Sequence, residues 1–408
     1  SLRELPGFVA IGHTRYSTTG ASKAGNAHPL TFEHPTLGPG AIAHNGNLIN
    51  ADSIRRELEA DGVAFDSGTD TEVVGRLVER THGTDWEDVL KRAFGRLVGA
   101  YSCAVVTRDC VIAMRDPYGF RPLCLGFVPL ASGQPAHVVA SETCALDTVG
   151  ARFVREVQPG EMVRLDDHGV TSHRFQTAGR HAMCIFEFIY FARPDSLMKS
   201  CELEEARLRM GQELAQELPV EADMVFGVPD SGTPAAIGYS EAAGIPFREG
   251  LVKSRYINRT FIQPDQSLRD AGVLLKLNPL RRSLRGKRVV VVDDSLVRGT
   301  TTKRTIEMLR QAGAAQVHMR VSSPPMRFPC FMGVDIASTK ELVASGRSVE
   351  EVRQVIGSDT LAYLSIPGLL RAVGRGNADE FCRACFDGAY PVPVPQQLEM
   401  DKLALEPA

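Results

Sequence analysis

The stretch from Arg288 to Thr301 carries the densest chemistry in the chain. Four consecutive valines, Val289 to Val292, run into Asp293 and Asp294, and Ser295, Leu296, Val297, Arg298, Gly299, Thr300 and Thr301 follow. A run of valines suits a strand buried on both faces. Open α/β sheets bind ligands at the carboxyl ends of such strands. Paired aspartates there suit ribose hydroxyls and a divalent cation. The loop adds three hydroxyls, glycine-permitted backbone approach and free N–H groups at a helix start, which together suit a phosphate monoester. A bare Asp-Asp could equally cap a solvated turn, but the length and order of this run weigh against that. A second signal, Cys382-Arg-Ala-Cys385, is weak alone: zinc, redox chemistry or no site at all.

The elements that would position these groups fall into two rhythms. Up to about residue 170, short strand patterns alternate with two helices. One helix covers Ala51 to Ala60; the other opens at Thr69-Asp70-Thr71-Glu72, with Val73, Val74, Leu77 and Val78 on one face. Strand patterns lie at Phe8–Gly12, Gly99–Val106, Val111–Met114, Ala136–Ser141 and around Glu161–Leu165, a sheet-rich α+β signature. From about residue 180, Asp223–Val228 reads as a short strand followed by a small-residue helix ending at Gly244. Arg288–Val292, a helix to about Ala312 stopped by Gly313, and Val317–Val321 make a βαβ crossover, so this sheet should be parallel. A Pro-rich tail closes the chain.

Composition bounds the function classes. At roughly 100 to 200 residues per domain, 408 residues suggest two or three domains. Lys and Arg minus Asp and Glu gives 46 − 49 = −3, with 23% charged and 43% apolar residues. That balance fits an ordinary soluble globular protein and supplies no basic field for nucleic acid or anionic membrane. No apolar run approaches the roughly 18 residues of a membrane helix. Nine cysteines without a signal-peptide pattern predict thiols or metal ligands in a reducing, cytoplasmic setting.

The run around Asp293 resembles the signature of type I phosphoribosyltransferases. Its companions resemble the glutamine phosphoribosylpyrophosphate amidotransferase family: Gly12-HTRYSTTG-Ala21, His44-NGNL-Ile49, Arg115-DPYGFRP-Leu123, Ile189-YFARPD-Ser196, Val228-PDSGTPAAIGY-Ser240 and Lys253-SRYINRTFIQP-Asp265. They cover the chain almost end to end in the family's order. The resemblance implies transfer of glutamine-derived ammonia to phosphoribosyl pyrophosphate, the first step of de novo purine synthesis. Ser231, Asp293 and Asp294 become the magnesium-associated positions. Asp230, Ser231 and Gly232 would lie beside the pyrophosphate. Ser295, Arg298, Gly299, Thr300 and Thr301 would cradle the 5-phosphate, and Lys253, Arg255, Tyr256 and Arg259 would close over the substrate.

The first region resembles a class II glutamine amidotransferase domain of the N-terminal nucleophile hydrolase (αββα) type. By that resemblance Arg15 holds the glutamine carboxylate, Asp70 its amino group, and the Asn45 side chain with the Gly46 N–H forms the oxyanion hole. Taken singly, Asn45-Gly46 is also a good hairpin turn, Asp70 a helix-start residue and His44 a structural histidine. The family's nucleophile is an N-terminal cysteine. This chain opens at Ser1 without Met, and its first cysteine is Cys103. The expectation is that a leading segment with that cysteine is missing, natural loss being the alternative. As they stand, the 408 residues are expected to use ammonia rather than glutamine.

In the family's iron–sulfur branch, cysteines in the contexts of Cys184, Cys330, Cys382 and Cys385 ligate one structural [4Fe–4S] cluster. Zinc would take the same four ligands, and free thiols are a third possibility. Cys103, Cys110, Cys124 and Cys144 should pack as small apolar residues, and Cys201 is left over as inert. The expected organisation is a glutaminase domain over 1–172, a phosphoribosyltransferase domain with a parallel sheet over 180–370, and a ligand-bearing segment over 371–408. The family also implies a homotetramer inhibited by purine nucleotides. Two rivals are a non-catalytic phosphoribosyl pyrophosphate-binding regulator, for which no basic helix-turn-helix appears, and a salvage phosphoribosyltransferase, which leaves the first region unexplained.

Overall fold

The computed structural model describes residues 7–15, 20–21, 23–131, 133–254, 277–336, 338–374, 378–394 and 405. Among the described residues, nine strands build the first region: β1 (Leu30–His34), β2 (Gly38–Leu48), β3 (Gly99–Val106), β4 (Val111–Arg115), β5 (Cys124–Pro129), β6 (Pro135–Ala140), β7 (Arg152–Glu156), β8 (Glu161–Asp166) and β9 (Gly169–Arg174). One antiparallel sheet has the order β1-β2-β3-β4-β8-β9 and a smaller one β6-β5-β7. Period-two alternation sorts the large sheet's residues. Tyr101, Cys103, Val105, Ile112 and Met114 meet the helices Asp70–Arg80 and Trp86–Phe94. Val111, Ala113, Val163 and Leu165 meet Leu123 and Leu125, the latter on the small sheet. Cys124, Leu146 and Ala151 then tie the helix Thr143–Thr148 to that sheet's outer face. The layers are helix, sheet, sheet, helix.

Two expectations change here. Residues 7–15 form no strand and take part in no strand ladder among the described residues; Phe8 is fully exposed. The helix Trp86–Phe94 escaped sequence reading, although Asp85 caps it by accepting from the Asp88 N–H. Its start lies among polar residues that read as loop.

The second region adds β10 (Met183–Cys184), β11 (Leu197–Met198), β12 (Cys201–Glu202), β13 (Met224–Gly227), β14 (Leu251–Lys253), β15 (Leu277–Pro279), β16 (Arg288–Asp293), β17 (Gln316–Val321), β18 (Thr360–Tyr363) and β19 (Phe381–Cys382). Strands β13-β16-β17-β18 form an all-parallel sheet. Its centre shows why four valines stand in a row. Val290 and Val292 pack with Met210, Leu214 and Tyr239 on one face, while Val289 and Val291 pack with Ile306 and Leu309 on the other. The helix Thr300–Gln311 is the crossover between β16 and β17. The tail returns to the body through β19, which pairs in parallel with β10.

Candidate active sites

The parallel register brings two loops together. Gly227 of β13 stands opposite Val292 of β16, so Val228–Gly232 and Asp293–Thr301 leave neighbouring strands at the same sheet edge. The Val228 N–H donates to the Val292 carbonyl at 2.8 Å, and the Gly232 N–H to Val228 at 3.0 Å. A Cβ on Gly232 would lie 2.4 Å from the Val292 oxygen. Glycine is therefore what lets the first loop close onto the strand that bears the aspartates.

Asp294 is buried and Asp293 half-buried at this edge. Burial, and then the neighbouring Asp294 carboxylate, push Asp293 well above the usual carboxylate range. Burial also raises Asp294, against the opposing pull of the Ser231 and Ser295 hydroxyls and of Arg207. The Ser295 hydroxyl donates to Asp294 Oδ1 at 2.5 Å. Two adjacent acids so placed resist ionising together unless a cation joins them. Gly299, at φ +75°, turns the chain into the helix Thr300–Gln311. Thr300 and Thr301 are exposed at its start, and Arg298 pairs with Glu341 at 2.6 Å. Lys253 at the end of β14 bonds the exposed Asp230 carboxylate across the opening. The expected Arg255, Tyr256 and Arg259 lie outside the described residues.

The other cluster lies on the antiparallel sheet. Asn45 and Gly46 sit inside β2, paired with Ser102 and Tyr101 of β3. The hairpin-turn alternative is thereby removed. Gly46 has φ +150°, and a Cβ there would stand 2.0 Å from the Ala100 oxygen, so close sheet approach requires glycine. Asp70 opens its helix buried, accepting the Leu48 N–H at 3.1 Å. His44 lies behind it, with Nδ1 3.7 Å from Asp70 Oδ2 and Nε2 3.2 Å from the Ala100 oxygen. Burial works against both charges, yet each holds the other ionised: His44 is raised and Asp70 lowered. His44 is thus the structural support that sequence suggested, and it props Asp70. Arg15 donates to the Ala21 carbonyl at 3.0 Å. The His28 ring lies 4.8 Å from the His13 ring, and the charges of His13, His44, Asp70 and Arg15 act on it.

The four cysteines also converge. Cys184 stands opposite Cys382 in the β10–β19 pair. The Arg327 and Phe328 N–H groups donate to the Cys385 carbonyl at 2.9 and 3.1 Å, bringing Cys330's loop alongside. The Met332 N–H donates to Cys330 Sγ at 3.3 Å. Burial, and then Cys184, Cys330 and Cys382, raise the Cys385 thiol. Among the described residues, no three His, Cys, Asp or Glu side chains stand close enough to share one metal ion. Cys103, Cys110, Cys124 and Cys144 are buried and Cys201 is half-buried.

Each region matches a known domain family. Residues 13–148 match the glutamine amidotransferase domain family and residues 202–323 the phosphoribosyl transferase domain family. The amidophosphoribosyltransferase of Synechococcus elongatus is 49% identical over 407 residues, 99% of this chain and 82% of the relative. That of Bacillus subtilis is 48% identical over 398 residues, 97% and 83% of the two chains. The chain belongs to the amidophosphoribosyltransferase family. Among solved amidophosphoribosyltransferases, the Bacillus subtilis enzyme complexed with ADP and GMP superposes with a TM-score of 0.87 at 48% identity, covering 94% of this chain and 83% of that one. A structure described as the allosteric regulatory enzyme of purine biosynthesis gives 0.89 at 47%, covering 97% and 84%.

Two residues that sequence reading passed over join this amidophosphoribosyltransferase framework. Arg207 projects from the helix Leu203–Glu217, is buried, and donates to the Phe188 and Ala192 carbonyls at 2.9 and 2.6 Å. Its charge acts on Asp294. The signal was present, because Arg207 falls on the same helical face as Leu203, Met210 and Leu214. Arg121, within the Arg115–Leu123 motif, is equally buried. No helix among the described residues is long and apolar enough to cross a membrane.

Proposed function

We propose that the two clusters divide the amidophosphoribosyltransferase reaction between them: glutamine and water give glutamate and ammonia at the first, and ammonia displaces pyrophosphate from phosphoribosyl pyrophosphate at the second. The product is 5-phosphoribosylamine. In the first cluster Arg15 binds the glutamine carboxylate and Asp70, held ionised by His44, binds its amino group. The Asn45 side chain and the Gly46 N–H stabilise the oxyanion. In the second, Ser295, Arg298, Gly299, Thr300 and Thr301 hold the 5-phosphate at the helix start. Asp230, Ser231 and Gly232 lie beside the pyrophosphate, and the role of closing over the substrate falls to Lys253 and to Arg255, Tyr256 and Arg259, which lie outside the described residues.

The observation that carries this reading is the pair of half-buried Asp293 and buried Asp294 at the end of a parallel strand, beside a glycine-turned helix start. Their shared resistance to ionisation fits a magnesium site completed by substrate oxygens, with Ser231 adjacent. When bound, magnesium would neutralise charge on the leaving pyrophosphate. Cys184, Cys330, Cys382 and Cys385 are the four thiolates that a [4Fe–4S] cluster would take, and zinc would take the same four. The cluster's role would be to tie the tail to the body. We further propose a cytoplasmic homotetramer inhibited by purine nucleotides, organised as 1–172, 180–370 and 371–408.

The test supplies full-length protein with glutamine, magnesium and phosphoribosyl pyrophosphate. Glutamate and pyrophosphate should appear together. If phosphoribosyl pyrophosphate is consumed with neither glutamine nor ammonia, the reading fails.

A further inference from the structure

The oxyanion strand is pressed by a loop from the other half of the chain. Gly333 lies against Gly46: a Cβ on Gly333, at φ +94°, would stand 2.9 Å from both the carbonyl carbon and the oxygen of Gly46. Gly46 also meets the Ala100 carbonyl, 2.0 Å from where its own Cβ would stand. The Gly46 backbone is therefore clamped between β3 and residue 333. Two side chains hold that outer jaw. Asn47 Nδ2 donates to the Phe331 carbonyl at 3.0 Å, and Arg121 Nη2 donates to the Gly333 carbonyl.

Arg121 is itself fixed at both ends. Its carbonyl accepts from Ser102 Oγ at 3.1 Å and from Arg115 Nε at 2.8 Å. Ser102 is the β3 partner of Asn45, so the Arg121 backbone is rooted beside the oxyanion pair. Its guanidinium pairs with the buried Glu187 at 2.6 Å and lies over the Phe191 ring at 5.2 Å. Burial alone would lower the Arg121 pKa, but Glu187 holds it charged.

We propose that Arg121 is a positioning residue for glutamine hydrolysis: anchored by Glu187, it holds Gly333 against Gly46 and so fixes the oxyanion-hole backbone. A planar fork can bond a carboxylate and a carbonyl at once, which a lysine's point charge does less well. The inference rests on reading Asn45 and Gly46 as the oxyanion hole. A group that only shapes the oxyanion hole acts in the transition state, so it changes kcat more than KM. A purely structural staple between the two halves would instead weaken both half-reactions.

The test compares glutamine-dependent and ammonia-dependent synthesis in full-length protein. Its variants are the double Arg121→Met with Glu187→Leu, which leaves no orphaned charge, Gly333→Ala, and Asn45→Ala as reference. Asn45→Ala must abolish glutamine use and spare ammonia use; otherwise the oxyanion reading fails, and this inference with it. The double variant should lose about ten- to a hundred-fold in kcat for glutamine, with KM for glutamine and the ammonia rate within about two-fold of the parent. If the double variant does not fold, Gly333→Ala decides on the same criteria. Should Asn45→Ala behave as required while Arg121 and Gly333 variants leave glutamine turnover intact, or lower both nitrogen donors equally, the positioning role is overturned.

Discussion

Lys253 and Asp230 are ion-paired across the mouth of the proposed phosphoribosyl site. Both are exposed, Asp230 on the loop that follows β13 and Lys253 at the last position of β14. An exposed pair contributes only about 0 to 1 kcal/mol. A pyrophosphate group entering the site can therefore draw Lys253 away from Asp230 at little cost and gain a stronger charge-assisted bond. The consequence is a residue that matters for substrate and hardly at all for stability. Lys253→Met should raise KM for phosphoribosyl pyrophosphate about ten-fold or more, with unfolding free energy changed by less than about 1 kcal/mol. Steady-state kinetics and urea unfolding on the same variant check both halves.

The two clusters predict opposite patterns of donor dependence. In the proposed division of labour Asp294 faces the phosphoribosyl chemistry whichever nitrogen donor is used. Asp294→Asn should therefore lower glutamine-dependent and ammonia-dependent synthesis together, on the order of a hundred-fold, as when a transition-state electrostatic group is removed. Gly46→Ala drives a methyl into the Ala100 carbonyl and should remove glutamine use alone. Equal loss with both donors in Gly46→Ala, or unequal loss in Asp294→Asn, would show that the half-reactions are misassigned.

Much of this was legible because the relevant signals are local. The valine run, the aspartates and Gly299 lie within a dozen residues, and one βαβ unit dictates where they meet. The strand Gly99–Val106 and the helix Ala51–Ala60 appear with their expected bounds, because periodicity of 2 and 3.6 is written into each segment. Phe8–Gly12 shows the limit: an apolar run forms a strand only where a neighbour supplies hydrogen bonds. Asn45-Gly46 shows another, since the pair that favours a hairpin turn sits mid-strand, where Ala100 packs on Gly46. Contacts between residues hundreds of positions apart, such as Asn47 with Phe331 and Arg121 with Gly333, have no local signature at all.

The cysteine arrangement yields a prediction independent of turnover. Cys382 lies in the two-residue strand that pairs the tail with β10 and Cys184. Burial and the neighbouring Cys184 hold the Cys382 thiol far above its usual range, so a bound metal must stabilise its thiolate. Full-length protein isolated without oxygen should be brown, with iron and acid-labile sulfide in about equal amounts, near four of each per chain. Cys382→Ser should bleach it and increase proteolysis of the tail. Colourless parent protein, or an unchanged iron content in Cys382→Ser, would remove the cluster.

Acid stability tests the histidines near Asp70. Burial lowers the His28 pKa from about 6.5 to about 3, helped by the charges of His13, His44 and Arg15 and opposed by Asp70. Between those two values the unfolded chain holds a proton on His28 that the folded protein refuses. Stability must therefore fall as pH drops through this window, by up to about 1.4 kcal/mol per pH unit. Above about pH 7 the group contributes no slope. His28→Gln removes the titration while keeping a polar side chain of similar size. Between pH 7 and pH 5 the parent should lose about 1 to 2 kcal/mol more than the variant, measured by urea unfolding at each pH. Parallel stability curves would mean that His28 is solvated and titrates normally, and that its surroundings are more open than the packing of His13 against His28, ring centroids 4.8 Å apart, indicates.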